Sequence, residues 1–401
     1  MAHPPRNWFG GDRLNSRTAR SVAVALVAVA LAFTWQALTV HFNYGGNWTA
    51  LFCTGERLRV PPQLAWEGIY RFRASVGYDG QFYHYMAHDP FLQKGFVDYM
   101  DDARLRYRRI LVPAAAYLLA AGRDRYVDTA LVGVIWLSVF LGAYWLSRYA
   151  VLSGRRAAWG LGFLLVPAVI VSIDRTVVDI TLAAITVGFV LHASRGGGWK
   201  PYLLLACACL TRETGMLLPA SYGLYLLWKR LPLKACLFAT SALPAVAWAW
   251  SLGGRTRGDL LSWMAAQPAS TYMRLRALRM ATYNLPGLLD WTLRALDYLV
   301  LAGIVLAMIL AIRGVLKSSR DHVAFAGLAF ALFMVLTMMA AGMEDPFTYA
   351  RLASPLLLLV AIDGIGGGWR FGWAPLALVA LRTAAQLTPQ ALGVLRGLLG
   401  K

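Results

Sequence analysis

Long apolar runs of roughly 15 to 22 residues recur from one end of the chain to the other, separated by short polar links. A helix needs about 20 apolar residues to cross the hydrocarbon core of a bilayer, which is about 30 Å thick. The runs lack the apolar–polar alternation that a membrane barrel strand requires. The pattern therefore predicts an all-α fold, a polytopic transmembrane helical bundle of about 10–11 spans.

The order of the runs divides the chain into a cytoplasmic tail, 1–20, and a single transmembrane domain, 21–401. The first span, 21–42, leads into a long polar loop with interfacial helices at 43–109, and a second polar segment lies at 253–290. The apolar segment 110–121 is too short to cross a membrane and predicts an interfacial or re-entrant helix. Further spans are predicted at 126–147, 157–173, 178–194, 201–210, 216–228, 235–252, 296–312, 322–341 and 352–362, with a partial span after Trp373.

Composition agrees with a membrane protein, and the distribution of charge predicts its orientation. Hydrophobic residues make up 58% of the 401 residues, and the mean hydropathy is +0.52. The formal net charge is +19, but Lys and Arg are concentrated in alternate links and form no basic face for a nucleic acid. Nearly all carboxylates lie on the other side; the exceptions are Asp12, Asp321 and Asp363. This asymmetry predicts a multi-pass protein of the cytoplasmic (inner) membrane with its N-terminus inside.

The polar stretch from Gly77 to Pro90, in the first long loop, carries the strongest functional signal. Its Asp79 is followed by Gly80, a pair that favours a tight turn. Such a turn would aim the carboxylate into a cavity, where it could take a proton from a hydroxyl or hold a divalent cation. The alternative is that Asp79 caps a helix over residues 81–87, since Asp is a good N-cap.

Candidate metal ligands lie in the same stretch. His84 and His88 are four residues apart and share one helix face, with Asp89 beside them, which would suit a metal ion. The alternative is a pair of partially exposed histidines at the membrane interface. No Glu stands between the two histidines, so the zinc-protease pattern is absent. The four cysteines are scattered without a CxxC and predict neither a disulfide framework nor a cysteine zinc site.

Further ionisable residues gather at predicted outer helix ends, where they are costly unless paired or functional. Each set could form simple salt bridges, and the arginines could anchor to lipid headgroups. Because all the sets lie on the side of Asp79, we favour one shared polar cavity. The sets are Arg106, Arg108 and Arg109 before residue 110; Asp174, Arg175 and Asp179; Arg212 and Glu213; and Glu344, Asp345, Tyr349 and Arg351.

This order of features resembles the GT-C superfamily of integral-membrane glycosyltransferases. Asp79 stands where that family has an acidic catalytic residue in its first outer loop, and Asp174 or Asp179 matches the second acidic position. Leu210-Thr-Arg-Glu-Thr-Gly215 resembles the Leu-Thr-Lys-Gly turn of the arabinose- and mannose-transferring branches. Tyr349-Ala-Arg351-Leu-Ala-Ser-Pro355 is similar to the family's late Arg-Tyr-x-x-Pro element. The chain has no Asp-Asp or Glu-Asp pair at the Asp79 position, where many members have one.

The resemblance implies an inverting transfer of a hexose or pentose from a polyprenyl-phosphate carrier to an acceptor on the extracytoplasmic side. Asp79 would be the general base, assisted by Asp174 or Asp179. The resemblance does not decide whether the reaction needs a divalent cation such as Mg²⁺ or Mn²⁺. The implied partners are the lipid-linked sugar donor and membrane lipid. The implied substrate-binding residues are Gln81, Tyr83, His84, Arg108, Arg109, Arg175, Arg212, Glu213, Glu344 and Arg351.

Two other functions remain as alternatives. A transporter or flippase of a lipid-linked or anionic solute would do no covalent chemistry, and it would be expected to show matching helix breaks in two halves of the chain. No convincing internal repeat is present in the sequence. A membrane metalloenzyme would use His84, His88 and Asp89.

Overall fold

The protein is helical almost throughout. The computed structural model describes residues 11–196, 198–256, 283, 285–317, 321–337 and 346–400. In these ranges the α-helices are α1 (Gly11–Asn43), α2 (Asp79–His88), α3 (Ala103–Arg108), α4 (Leu111–Leu119), α5 (Asp124–Leu152), α6 (Pro167–Arg175), α7 (Asp179–Ala193), α8 (Trp199–Thr211), α9 (Leu217–Trp228), α10 (Pro232–Ala239), α11 (Leu243–Ser251), α12 (Gly287–Lys317), α13 (His322–Thr337), α14 (Pro346–Gly367), α15 (Ala374–Ala385) and α16 (Thr388–Leu398).

Several of these helices are typical of a membrane protein, which confirms the predicted all-α bundle at that level. Within the described ranges, five are long and apolar enough to cross a membrane, or six if one bent pair counts as a span. The larger number of about 10–11 spans stays a prediction, since helices such as α7 and α13 are apolar but shorter. The five are Ser16–Asn43, Asp124–Leu152, Pro232–Ser251, Gly287–Leu316 and Thr348–Gly367.

The bent pair replaces the straight third span that the sequence predicts. A 3₁₀ helix, Ala157–Leu165, meets α6 at an angle of 64°. Pro167 opens α6 at a position where its missing N–H costs nothing, and it restricts the preceding Val166 to an extended backbone. The break lets α6 end with Asp174 and Arg175 beside the loop that carries α2.

Helix α14 is the centre of the bundle. Every residue from 356 to 362 is buried, so this helix is apolar all round, as expected for a core helix. It packs against α6, α7, α12, α13 and α15. The Ser354 hydroxyl accepts a hydrogen bond from the backbone N–H of Ala168, which fixes α14 against α6. Arg351 therefore has a fixed position in the N-terminal part of a rigid element.

The long loop after α1 is folded and not merely interfacial. Two short strands, β1 (Thr54–Gly55) and β2 (Arg71–Phe72), pair in parallel, and 3₁₀ helices occupy Trp48–Phe52, Pro62–Glu67 and Phe96–Tyr99. Aromatic residues of this loop and of α2 form their own small core, which includes Phe82, Tyr85 and Phe96. The loop thus holds α2 against the bundle.

The second polar segment, predicted at 253–290, lies for the most part outside the described residues. Its arginines Arg257, Arg274, Arg276 and Arg279 are among those outside. At its near edge, Arg255 donates a hydrogen bond to the carbonyl of Phe91 and so touches the first loop.

Candidate functional site

Helix α2 begins at Asp79 itself, so the alternative in which Asp79 caps a later helix is wrong. The N-cap is Tyr78, which has an extended backbone and makes no side-chain capping bond, and Asp79 lies in the first turn. The next residue, Gly80, lies so close to α6 that a Cβ there would overlap the carbonyl oxygen of Arg175. The start of α2 therefore needs glycine for close packing, and this packing aims Asp79 inward.

The Asp79 carboxylate lies between two arginines from distant parts of the chain. Its Oδ2 accepts a hydrogen bond from Arg351 Nη2 at 2.8 Å, and its Oδ1 lies 2.9 Å from Arg106 Nη1. The aromatic ring of Tyr78 lies under the Arg351 guanidinium, 5.3 Å from its centre. The Asp79 side chain is 17% exposed, so the carboxylate faces the bundle and not bulk water.

The same ion-pair network extends to three more helix ends. Asp179, at the start of α7, pairs with Arg212 and lies 3.6 Å from Arg351 Nε. Glu213 accepts two hydrogen bonds from Arg109, at 2.6 and 2.9 Å. The remaining Arg109 nitrogen, Nη1, donates to the buried hydroxyl of Tyr83 at 2.9 Å. We call this set the arginine cluster: Asp79, Arg106, Arg109, Asp179, Arg212, Glu213 and Arg351.

The four arginines of the cluster are at most 7% exposed and face its three carboxylates, and Arg106 also donates two hydrogen bonds to a fourth carboxylate, Asp101, so that positive and negative charges balance. Two guanidinium nitrogens, Nη1 of Arg351 and Nε of Arg212, are buried and have no hydrogen-bond acceptor among the described residues. Unsatisfied buried donors are costly, and an anion would satisfy them. The cluster is therefore suited to binding an anionic group.

The ion pairs also shift the pKa values of side chains in the cluster. Burial alone would raise the pKa of Asp79, but the charges of Arg351 and Arg106 outweigh it and hold that pKa far below its usual value. Burial likewise opposes ionisation of Glu213, yet Arg109 and Arg212 lower its pKa to about 2. Burial and the nearby charge of Arg109 lower the pKa of Arg212 to about 10. All three groups remain charged at neutral pH.

An apolar cavity of about 690 Å³ adjoins the arginine cluster at Glu213. Arg104 and Arg108 line it beside Glu213, so one part of the cavity is strongly polar. The remaining wall comes from α8, α11 and the 3₁₀ helix Glu213–Met216, and it is mainly apolar. Because α11 belongs to a helix long enough to cross a membrane, this wall would lie at membrane depth.

The other predicted site residues lie in different places. Asp174 pairs with Arg175 at 3.3 Å, and Arg175 covers the Tyr78 ring, so this pair adjoins the arginine cluster. Gln81 is buried and holds the loop backbone at Gly55 and Val76. Glu344 and the adjacent Asp345 lie outside the described residues.

A second cluster lies further along α2. His84 and His88 are fully buried, and their Nε2 atoms meet Glu67 of the 3₁₀ helix Pro62–Glu67 and Asp128 of α5. The ligand-type atoms of these four residues lie within 4.8 Å of one another. We call this set the histidine cluster: Glu67, His84, His88 and Asp128. Among the residues that the structure describes, it is the group that could hold a metal ion.

The histidine cluster corrects two interpretations of the sequence. The histidines are not partially exposed at an interface, because the loop and α5 cover them completely. Asp89 does not join them; its carboxylate accepts hydrogen bonds from the backbone N–H groups of Gln93 and Lys94. His84, predicted to bind substrate, lies with His88 and not in the arginine cluster.

Three residues of the two clusters were not singled out by any pattern in the sequence, or only weakly. Arg106 was indistinguishable from its neighbours Arg104, Arg108 and Arg109, and only the turn of α3 selects it as the partner of Asp79. Asp128 lies four residues after Asp124 at the start of an apolar run, which could have suggested a shared polar helix face. Glu67 has no such signal.

The comparisons with known proteins give no family for this chain. No protein-family model, curated protein or solved structure matches it.

Proposed function

We propose that the protein transfers a sugar from a polyprenyl-phosphate carrier to an acceptor on the extracytoplasmic side of the membrane. One observation carries the proposal: a buried arginine cluster with unused guanidinium donors adjoins an apolar cavity through Glu213. A lipid-linked sugar phosphate has the same two parts, an anionic phosphate and a long apolar tail. Arginine forks match phosphate oxygens, and an apolar wall accommodates isoprenoid chain.

In the proposed reaction the carrier phosphate enters the arginine cluster with its tail along the apolar wall. The spare donors of Arg351 and Arg212 satisfy its oxygens, Arg108 approaches it from the cavity side, and Arg109 approaches it beside Glu213. Preplaced donors in a site that excludes water stabilise the charge that develops on the departing phosphate. The arginines would therefore assist the bond-breaking step.

Asp79 is the proposed general base. As long as Arg106 and Arg351 hold it, its low pKa makes it a weak base. A bound phosphate competes for these two guanidinium groups, which raises the pKa of Asp79 toward a useful value. The acceptor hydroxyl then loses its proton to Asp79, its oxygen bonds to the sugar's anomeric carbon, and the phosphate leaves with the electron pair of the broken bond. Asp179, rather than Asp174, is the second carboxylate in this site.

A divalent cation is not required at Asp79 in this proposal. Both carboxylate oxygens already face guanidinium groups, and a metal ion would have to displace those positive charges. The mechanism therefore depends on arginine and not on Mg²⁺ or Mn²⁺ at this position.

The test is the Asp79→Asn variant in membranes that contain lipid extracted from a strain in which the gene has been deleted. Loss of the polyprenyl-phosphate sugar and gain of glycosylated product are followed by mass spectrometry. The wild type should consume the lipid-linked sugar, and D79N should be slower by about 10²–10⁴-fold, the usual contribution of a general base.

Asp98→Asn is the matched control, because Asp98 lies in the same loop but is exposed and outside the arginine cluster. Equal rates for wild type and D79N would remove Asp79 from the mechanism. Movement of the lipid-linked sugar across sealed vesicles without any glycosylated product would instead support a transporter or flippase.

A further inference from the structure

The histidine cluster has a different composition from the arginine cluster and serves no step of the proposed transfer. We propose that Glu67, His84, His88 and Asp128 form a binding site for one first-row divalent metal ion, best suited to Zn²⁺, that clamps the first loop to the bundle. Two imidazoles and two carboxylates are a ligand set that zinc accepts, whereas Mg²⁺ prefers oxygen ligands alone.

The distances between the ligand atoms fit such an ion. His84 Nε2 lies 3.0 Å from Glu67 Oε2 and 2.9 Å from Asp128 Oδ1. His88 Nε2 lies 3.2 Å from Glu67 Oε1 and 3.2 Å from Asp128 Oδ1. An ion with bonds of about 2.0–2.1 Å holds neighbouring ligand atoms about 3.3–3.4 Å apart in tetrahedral geometry and about 2.8–3.0 Å apart in octahedral geometry. The four side chains therefore surround a space of the right size.

Hydrogen bonding explains only part of the arrangement, because it joins His88 Nε2 to Asp128 Oδ1 at 3.2 Å but leaves out His84 and Glu67. Neither ring nitrogen of His84 nor either carboxylate oxygen of Glu67 has a hydrogen-bond partner of acceptable geometry within the described part of the chain, although all four atoms are buried. When the lone pairs of ring nitrogens and carboxylate oxygens point at one metal ion, these atoms lie close together, but no N–H group is aligned with an acceptor. Buried polar atoms of this kind require an explanation, and a metal ion supplies one.

The surroundings of His88 match those of a metal ligand. Its second ring nitrogen, Nδ1, lies 3.0 Å from Asp124 Oδ1, and Asp124 is itself held by Lys94 at 2.7 Å. Metal-binding histidines almost always have their other nitrogen bonded to a carboxylate, a carbonyl or water, which fixes the ring orientation. With Nδ1 as the donor to Asp124, the Nε2 lone pair is free for the ion.

The site has the features of a structural site. It offers four protein ligands, both histidines are fully buried, and Glu67 is almost so. Structural zinc sites have four protein ligands, whereas catalytic sites keep a position open. The ligands come from three elements: the 3₁₀ helix Pro62–Glu67, α2 and α5. A bound ion would therefore fix α2, and with it the position of Asp79.

The experiment measures metal in the full-length protein, purified in detergent without a polyhistidine tag. Protein dialysed against EDTA is back-titrated with Zn²⁺ alone, and bound metals are measured by inductively coupled plasma mass spectrometry. About one zinc per chain is expected, with an X-ray absorption first shell of N and O atoms at about 2.0–2.1 Å. His84→Ala and Glu67→Gln should each lower the bound zinc at least tenfold.

His41→Ala is the matched control, because His41 is exposed on α1 and far along the chain from the cluster, and it should leave the zinc content unchanged. If His84→Ala does not fold, the absorption spectrum of the wild type and the near-isosteric Glu67→Gln variant still decide the matter. Less than a tenth of an equivalent of bound zinc in the wild type, or equal binding in wild type and Glu67→Gln, would overturn the metal site. Neither result would bear on sugar transfer, which is measured separately with Asp79→Asn.

Discussion

The two ends of α2 have opposite electrostatic character although they belong to one helix of ten residues. At its start, Asp79 lies among guanidinium groups, and buried donors of Arg351 and Arg212 have no hydrogen-bond acceptor within the described ranges. Towards its end, His84 and His88 face the carboxylates of Glu67 and Asp128. The first arrangement offers donors to an anion, and the second offers ligand atoms to a cation.

The difference shows how buried charge can serve two purposes within one segment. Buried charged groups are stable only when they are paired. Where their donors or ligand atoms are not all used within the protein, a ligand of opposite charge can complete the pairing. In the arginine cluster that ligand would be an exchanging substrate phosphate, beside a cavity. In the histidine cluster it would be a resident ion, in a closed space. We expect the two ends to respond separately to the changes below.

Removal of Arg351 should have the largest effect on stability. Arg351→Ala deprives Asp79 of its closest partner and leaves Asp179 with Arg212 alone, and breaking a buried ion pair costs about 3–5 kcal/mol. Unfolding in detergent, followed by circular dichroism, would measure the loss. The control is Arg108→Ala, since Arg108 is half-buried and donates to the carbonyl of Arg104; a change within about 0.5 kcal/mol is expected. Equal losses in both variants would contradict this account of the arginine cluster.

A methyl group at Gly80 should disturb both ends of α2 together. Gly80→Ala overlaps the carbonyl of Arg175, and because backbone cannot yield as a side chain can, α2 must shift. We expect a loss of about 1–3 kcal/mol, together with weaker zinc binding and slower sugar transfer. Gly133→Ala, in α5, has no atom within 4 Å of the new Cβ and should not destabilise the protein. If Gly80→Ala impaired one end only, α2 would not act as a rigid link between the clusters.

A change at Asp124 should weaken zinc binding by the histidine cluster and leave the arginine cluster unaffected. Asp124→Asn keeps the shape of the side chain but removes the charge that orients His88, and such changes weaken metal affinity by about 10–100-fold. Competition with a fluorescent zinc chelator would measure the affinity, and the rate of sugar transfer at saturating zinc should match the wild type. Unchanged affinity would show that Asp124 does not orient a metal ligand.

The smallest expected effect is on the pH dependence of stability, and it comes from the Glu213 carboxylate. The pKa of Glu213 is about 2 in the folded protein, below its ordinary value of 4.5, because Arg109 and Arg212 outweigh burial. Its contribution is therefore complete above pH 4.5 and is lost as the pH falls toward 2. The unfolding temperature of wild type minus that of Glu213→Gln should shrink as the pH is lowered from 6 to 3. A constant difference would indicate that the Glu213 charge does not stabilise the fold.

The sequence by itself determined the class of protein and the positions of its helices. Apolar runs specify helices locally, so the structure has a helix at each predicted apolar segment, from the short α4 to α15 after Trp373. It also singled out Asp79, because a carboxylate among polar and aromatic residues beside an apolar run has few structural uses. The local signal failed where a helix bends, as at Val166, and in the first long loop, whose short strands it did not predict.

Tertiary structure alone decided which charges meet. Asp79 and Arg351 are 272 positions apart, and Arg109 and Glu213 are 104 apart, so no periodicity relates them. The choice of Arg106 over Arg108 depends on which side of α3 faces the bundle, and the choice of Asp179 over Asp174 depends on the break between α6 and α7. Glu67 joins the histidines because the loop folds over α2. Pairing between distant residues depends on packing and not on local propensity.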